Sequence, residues 1–247
     1  MRDWTENQIM LVFIRHGATQ ANKERRYLGK TDESLSEEGI EILESYKMQK
    51  LYPDVEYLFT SPMKRCTETA KIIYPTLCPI IIPEWEEINF GRFEYRNYEE
   101  LKYDAEYQEW LRSGGTLDFP DGESRNDFAL RCKCGFIRMC NELRQIVGRN
   151  VMKPASVGMI VHGGTIMSLL NLYGGNDYFD YQVSNGRGYV CRLTGVNGRT
   201  TQEDRLKNQG FFIRRINSSC KYCSEAQIRG VEQEWGMNIQ LKVVAEI

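Results

Sequence analysis

Histidine is scarce in this chain: among 247 residues there are two, His16 and His162. Any site that needs an imidazole must use one of them. A surplus of one charge is also missing. Lys and Arg number 32 against 34 Asp and Glu, leaving a formal −2. That balance supplies no field for steering towards nucleic acid or an anionic membrane surface, so any anion site has to be built locally. Long apolar runs are absent too. No window approaches the ~18 uninterrupted apolar residues of a membrane span. The opening MRDWTENQ has no basic region leading into an apolar core, and a cytoplasmic location is the expectation. No internal repeat or low-complexity tract is found.

Cysteine is not lacking, but its pattern is. The eight residues are scattered along a long chain, and reduced thiols are expected rather than a disulfide framework. Cys132, Cys134 and Cys140 fall in one helical stretch, where residues two apart point to different faces and converge poorly on a metal. Cys132 instead joins Phe128, Phe136, Met139, Leu143 and Ile146 in a core stripe at helical spacing. Cys220 and Cys223 make a lone CxxC, whereas a structural zinc site needs a second pair of ligands. Neither a metal nor a cofactor is expected.

What is present is ordinary soluble composition, 41% hydrophobic and 27% charged, arranged as apolar strands alternating with amphipathic helices. That alternation marks an α/β layer fold, here one domain over residues 1–247 with an insertion at about 92–125 and an extension from about 195. Strands are expected at Ile9–Ile14, Val55–Thr60, Ile80–Ile82, Val157–Val161, Tyr189–Leu193, Phe211–Ile216 and Ile239–Val244. Ser36 caps a helix with Glu37 and Glu38 in its first turn. Ser61 reads as the cap of the next helix, with Pro62 at its first position. One charged helix is expected from Tyr98 to Leu111, a second from 125 to 147 behind a capping box of Ser124 and Asp127, and a third from Thr165 to Leu172. The stretch from Gly195 to Asn208 is a polar loop.

Three apolar runs end in polar groups: Arg15-His16, then Arg65 beyond Thr60, then His162-Gly163-Gly164. In open α/β sheets ligands bind at the carboxyl edge of the strands, where helix N-termini favour anions. Two guanidinium forks suit phosphoryl oxygens. A neutral imidazole is a good nucleophile towards phosphorus, and a covalent phosphohistidine divides displacement by water into two easier steps. The leaving alkoxide still needs a proton. Glu84, Glu86 and Glu87 are the candidates, since a carboxyl group beside Trp85, Ile88 and Phe90 can stay protonated through desolvation; the alternative is a solvated acidic loop. Tyr95, Tyr98, Tyr103, Tyr107, Trp110 and Phe119 either wall a pocket for a ring-bearing substrate or pack the insertion onto the core.

Four blocks in order, RHGAT with Asn22, SPMKRCTETA around Arg65, EINFG from Glu87, and His162-Gly163-Gly164, resemble the histidine phosphatase superfamily in the branch that includes cofactor-dependent phosphoglycerate mutase. The resemblance covers roughly residues 9 to 195. It implies a three-layer α/β/α sandwich with a mixed, mostly parallel sheet. It also implies that His16 is phosphorylated, that Arg15, Arg65 and His162 bind the phosphoryl group with help from Asn22 and the Gly163 N–H, and that Glu87 is the proton donor. Thr19 supports the loop. Mutases of this branch usually carry serine and tryptophan after RHG and a histidine-tyrosine pair before the later glycine, where this chain has Thr19, Ala21, Asn89 and Phe90. The segments RYLGKTDESLSEEG and FPDGES look more like α-ribazole phosphatases, whose members often read FPGGES; Asp121 departs from that pattern. The partner implied is a small phosphorylated metabolite, with phosphoryl transfer of the mutase type or binding without turnover as alternatives. The tail from Gly195 is open to an edge strand, to the contact of a homodimer, or to no role.

Overall fold

The computed structural model describes residues 9–147, 155–195 and 239–247. Six strands form one sheet: β1 (Ile9–Arg15), β2 (Tyr57–Thr60), β3 (Ile80–Ile81), β4 (Ala155–Val161), β5 (Gly188–Gly195) and β6 (Ile239–Glu246). Their order is β3-β2-β4-β1-β5-β6. The four strands β3, β2, β4 and β1 run parallel, while β5 and β6 add antiparallel ladders beyond β1. The sheet is therefore mixed and mostly parallel among the strands that carry the site.

β1 reads IMLVFIR without alternation because both its faces are covered. Leu11 and Phe13 enter one core with Val157, Met159 and Val161; Val12 and Ile14 enter the opposite core with Leu58 and Ile160. The first core is closed by α6 (Arg125–Val147) and α7 (Gly163–Gly174), through Phe128, Cys132, Phe136, Met139, Leu143, Ile166, Leu169 and Leu170. The second is closed by α2 (Glu37–Met48) and α3 (Lys64–Ile73), through Leu43, Cys66, Ala70 and Ile73. Helices lie on both faces, which gives three layers. In the expected stripe of α6, Ile146 is the exception and is exposed.

Local signals set the helix starts. The Ser36 Oγ accepts the Gly39 N–H at 3.1 Å, and Glu37 and Glu38 occupy the positive end of α2. Gly39 itself lets that end touch the turn after β1, where a Cβ would collide with the Ala18 carbonyl. The Ser124 Oγ accepts the Asp127 N–H at 2.9 Å at the start of α6. Three expectations are corrected. The charged segment 98–111 is two helices, α4 (Tyr98–Leu101) and α5 (Ala105–Arg112), because Asp104 caps α5 by accepting the N–H groups of Glu106 and Tyr107. α3 starts at Lys64 behind Met63 as N-cap with no side-chain cap, and Ser61 Oγ reaches only the Met63 N–H, at 3.4 Å. Cys66, Cys78, Cys132, Cys140 and Cys191 are free, but Cys134 carries a disulfide. The strand read at Phe211–Ile216, most of the polar loop to Asn208, and Cys220 and Cys223 lie outside the described residues.

Candidate active site

The carboxyl ends of β1, β4 and β2 are brought level by the ladder register, Arg15 opposite Val161 and Thr60 opposite Ile160. The chain continues that alignment one residue further. The His16 N–H donates to the Val161 carbonyl at 3.0 Å and the Ser61 N–H to the Ile160 carbonyl at 3.1 Å. His16, Ser61 and His162 therefore leave the sheet side by side. The two imidazoles meet edge to face with centroids 5.2 Å apart, and His162 is the N-cap residue of α7.

The hydrogen bonds fix which nitrogen does what. His16 Nδ1 lies 2.7 Å from the Gly17 carbonyl, an acceptor only, so Nδ1 carries the proton and Nε2 keeps its lone pair. Arg65 Nε donates to His162 Nδ1 at 3.3 Å; a guanidinium cannot accept, so the neutral His162 carries its proton on Nε2. That nitrogen is 2.8 Å from Ser61 Oγ. Burial, aided by the charges of Arg65 and Arg15, holds the pKa of His16 well below the usual histidine value. Burial and Arg65 do the same for His162. Both rings are neutral over the neutral pH range.

Arg65 is fully buried and donates to the Gly29 and Thr31 carbonyls as well as to His162. Arg15 donates to the Val183 carbonyl at 2.8 Å, while its buried Nε has no hydrogen-bond partner. An unpaired buried guanidinium N–H costs about 1–3 kcal/mol, so it is a donor available to an anion. Asn22 sits at the end of the turn: its Oδ1 accepts from the Thr19 N–H and from Asn185 Nδ2. Thr19 and Asn22 form a capping box for α1 (Gln20–Lys23), the supporting role expected of Thr19.

Glu87 is delivered by a different route. After β3 the chain makes a 3-10 turn at Pro83–Trp85, pinned where the Trp85 indole donates to the Cys132 carbonyl at 3.3 Å. Arg131 of α6 clamps this segment, donating to the carbonyls of Glu84, Glu86 and Glu87 and pairing with Glu123 at 2.7 Å. The Glu87 carboxyl group ends beside Gly164, and its Oε1 accepts the Ile88 N–H at 3.0 Å. Desolvation raises its pKa above the ordinary carboxylate value, against the opposing pull of that N–H and of Arg65 and Arg15. Glu84 is buried too, but it is paired with Arg138 at 2.7 Å, away from this group. The acidic run is therefore split by structure, and only Glu87 shares the charges of the site.

A cavity of about 330 Å³ opens here, with Arg15, Glu87, Gly163 and Gly164 among its walls. His16, Arg65, His162 and Asn22 are not wall residues. Trp110 and Phe119 line it, while Tyr107 is buried in the core and Tyr95, Tyr98 and Tyr103 are exposed. The aromatics of the insertion thus divide between the two readings. Asp121 adopts a left-handed φ of 55°. Glycine suits that conformation, and aspartate is among the few other residues that tolerate it.

Sequence reading missed several supports. Ser61, Arg131 and Asn185, whose Nδ2 also donates to the His16 carbonyl at 3.0 Å, hold the site from remote positions. Ser61 was visible beside Pro62 but read as a cap. Nothing in the sequence pattern marks Arg131 or Asn185.

The family model for the histidine phosphatase superfamily (branch 1) matches residues 11–206. The chain belongs to this superfamily. Its members include phosphatases and mutases. A probable phosphoglycerate mutase, GpmB, of Escherichia coli O1:K1 / APEC is 30% identical over 143 residues, 56% of this chain and 65% of that protein. The chain thus matches less than two thirds of the length of this curated relative. A putative alpha-ribazole-5'-P phosphatase of Escherichia coli K-12 superposes with a TM-score of 0.64 at 23% identity, covering 75% of this chain and 91% of that one, a likeness of fold. TTHB049 of Thermus thermophilus is 29% identical with a TM-score of 0.54, covering 73% of this chain and 92% of that one. No helix among the described residues is long and apolar enough to cross a membrane.

Proposed function

We propose that the chain is a phosphomonoesterase acting on a small phosphorylated metabolite through a phosphohistidine. The observation that carries this reading is the pairing of a neutral His16, its Nε2 lone pair left free by the Gly17 carbonyl, with a carboxyl group of raised pKa at Glu87. In the first step Nε2 attacks phosphorus, the ester P–O bond breaks, and Glu87 transfers its proton to the leaving oxygen. Arg15, Arg65, His162, Asn22 and the Gly163 N–H disperse charge on the transferring group. In the second step Glu87, now a carboxylate, takes a proton from water as the oxygen attacks phosphorus and the N–P bond breaks. His16 returns neutral and Glu87 protonated.

The test is hydrolysis of p-nitrophenyl phosphate in EDTA, with acid-labile phosphoryl label trapped on the protein. Both should vanish in His16→Ala. Activity abolished by the chelator, or retained by His16→Ala, overturns the mechanism. For the substrate, Thr19, Ala21, Asn89 and Phe90 and the FPDGES loop favour α-ribazole 5'-phosphate over phosphoglycerate. The names of the GpmB relatives support phosphoryl transfer of the mutase type as the second reading. Turnover of 3-phosphoglycerate with catalytic 2,3-bisphosphoglycerate, set against release of phosphate from α-ribazole 5'-phosphate, separates them.

A further inference from the structure

The cavity holds a third charged residue that the phosphoryl chemistry does not use. Arg125, the first residue of α6, lines it. Its guanidinium carbon lies 4.6 Å from the ring centroid of Tyr178 and 5.0 Å from that of Phe179. Both rings line the same cavity. Among the described residues no carboxylate, carbonyl or hydroxyl accepts a hydrogen bond from this guanidinium. A cation in contact with two rings has its plane oriented and its motion restricted, at little cost in donors. Its N–H groups are therefore placed but unpaired, which sets it apart from Arg65 and Arg131, whose terminal nitrogens already donate to backbone carbonyls and, for Arg131, to Glu123 as well.

Position decides what the donors are for. Arg125 lines the cavity together with Glu87, the proposed proton donor to the leaving group, whereas His16 and Arg65 are not among its walls. Around it the walls are flat and apolar: Trp110, Phe119, Phe90 and Tyr27. Trp110 and Phe119 lie at 5.1 Å and Phe90 and Phe119 at 5.0 Å, so the walls brace one another. A planar group fits such walls. A neutral ring with hydroxyls alone, as in α-ribazole, offers no charge to match this guanidinium, which points to a leaving group other than the α-ribazole weighed above.

We propose that Arg125 is a specificity-determining residue that recognises an anionic acceptor, such as a carboxylate, on a ring-bearing leaving group. The proposal rests on the phosphomonoesterase reading for its chemistry but is tested through binding. Phenylphosphonate and 4-carboxyphenylphosphonate, which cannot be hydrolysed, differ by one carboxylate. Calorimetry on the full chain should give a Kd about tenfold tighter for the carboxylated compound, in line with one charge-assisted bidentate contact. In Arg125→Met that ratio should fall to about one, and Arg125→Lys, which keeps the charge without the planar fork, should fall between. A wild-type ratio of one or below overturns the proposal whatever the variants do, and so does an undiminished ratio in either folded variant. Turnover of phenyl phosphate and 4-carboxyphenyl phosphate is measured beside it. Selective binding without turnover of either ester refutes the phosphatase reading and leaves Arg125 recognition standing; turnover without selectivity does the reverse.

Discussion

Gly164→Ala tests the placement of Glu87 without touching any ionisable group. A Cβ on residue 164 would stand 2.6 Å from Glu87 Oε1 and 2.9 Å from Phe128 Cε1. The phenyl ring is fully buried and has nowhere to go. The carboxylate must yield instead, by about 0.8 Å if it is to reach the 3.4 Å of ordinary van der Waals contact. It cannot swing freely, because Oε1 is held by the Ile88 N–H and the Gly164 backbone itself stabilises the charged form. Overpacking of this kind costs about 1–3 kcal/mol of stability, which leaves the chain folded. Misplacing a catalytic group by ~1 Å costs on the order of 10²-fold in rate. The loss should depend on the leaving group. An alkyl phosphate needs the proton, and its kcat should fall about 10²-fold, whereas p-nitrophenyl phosphate departs without much help and should lose less than about tenfold. Steady-state kcat for both esters, with thermal unfolding as a control on folding, reads the difference. Equal losses on the two substrates, or full activity on both, would refute the assignment of Glu87 as the acid.

The pH dependence of kcat/KM should be bell-shaped. Its acid limb is protonation of His16, well below the usual histidine range. Its alkaline limb is deprotonation of Glu87, above the usual carboxylate range. Glu87→Gln should erase the alkaline limb on p-nitrophenyl phosphate, and a limb that survives belongs to another group. Stability should also respond to acid. Both histidines have depressed pKa values in the fold, so below about pH 6.5 the unfolded chain takes up protons that the native chain refuses. Each histidine then removes up to ~1.4 kcal/mol of unfolding free energy per pH unit, an effect that Glu87, with its raised pKa, opposes at lower pH. Urea midpoints at pH 7.5, 6.5 and 5.5 (about one pH unit apart on that window) report it, and a midpoint that does not fall on acidification contradicts neutral burial of the pair.

The cluster of Arg15, His16 and His162 was legible because its parts are tied to strand ends. An apolar run followed by Arg15-His16, and another followed by His162, is a local pattern, and a parallel sheet brings such ends to one edge whatever the loops do. From the residues alone Glu87 was one of three acids, and the resemblance singled it out through the EINFG block; its placement in the fold rests on Arg131 and Trp85, contacts across more than forty positions that no period encodes. The helix at 98–111 was misread because its apolar spacing continues through Lys102 and Tyr103, while Asp104 satisfies the N–H groups of Glu106 and Tyr107 and starts a new helix. Ser61 was misread for the opposite reason. The local signal for a cap was present, but His162, distant in sequence, competes for the same oxygen at 2.8 Å. Arg125 gave no signal, since its placement comes from Tyr178 and Phe179, more than fifty positions away in sequence.

The two histidines are not interchangeable, and the backbone is the reason. Gly17 follows His16 in the turn, and its carbonyl takes the Nδ1 proton, leaving Nε2 as the only basic nitrogen of that ring. His162 instead meets Arg65, which can only donate, so its Nδ1 lone pair is consumed and its remaining nitrogen is a donor held by Ser61. One ring thus keeps a free basic nitrogen, as the proposed nucleophile requires, and the other donates a hydrogen bond, before any substrate is considered. The same Arg65 charge that consumes the lone pair also disfavours imidazolium at both rings. In the proposed mechanism the cation that disperses phosphoryl charge therefore also keeps the nucleophile unprotonated, and binding and activation would arise from one residue.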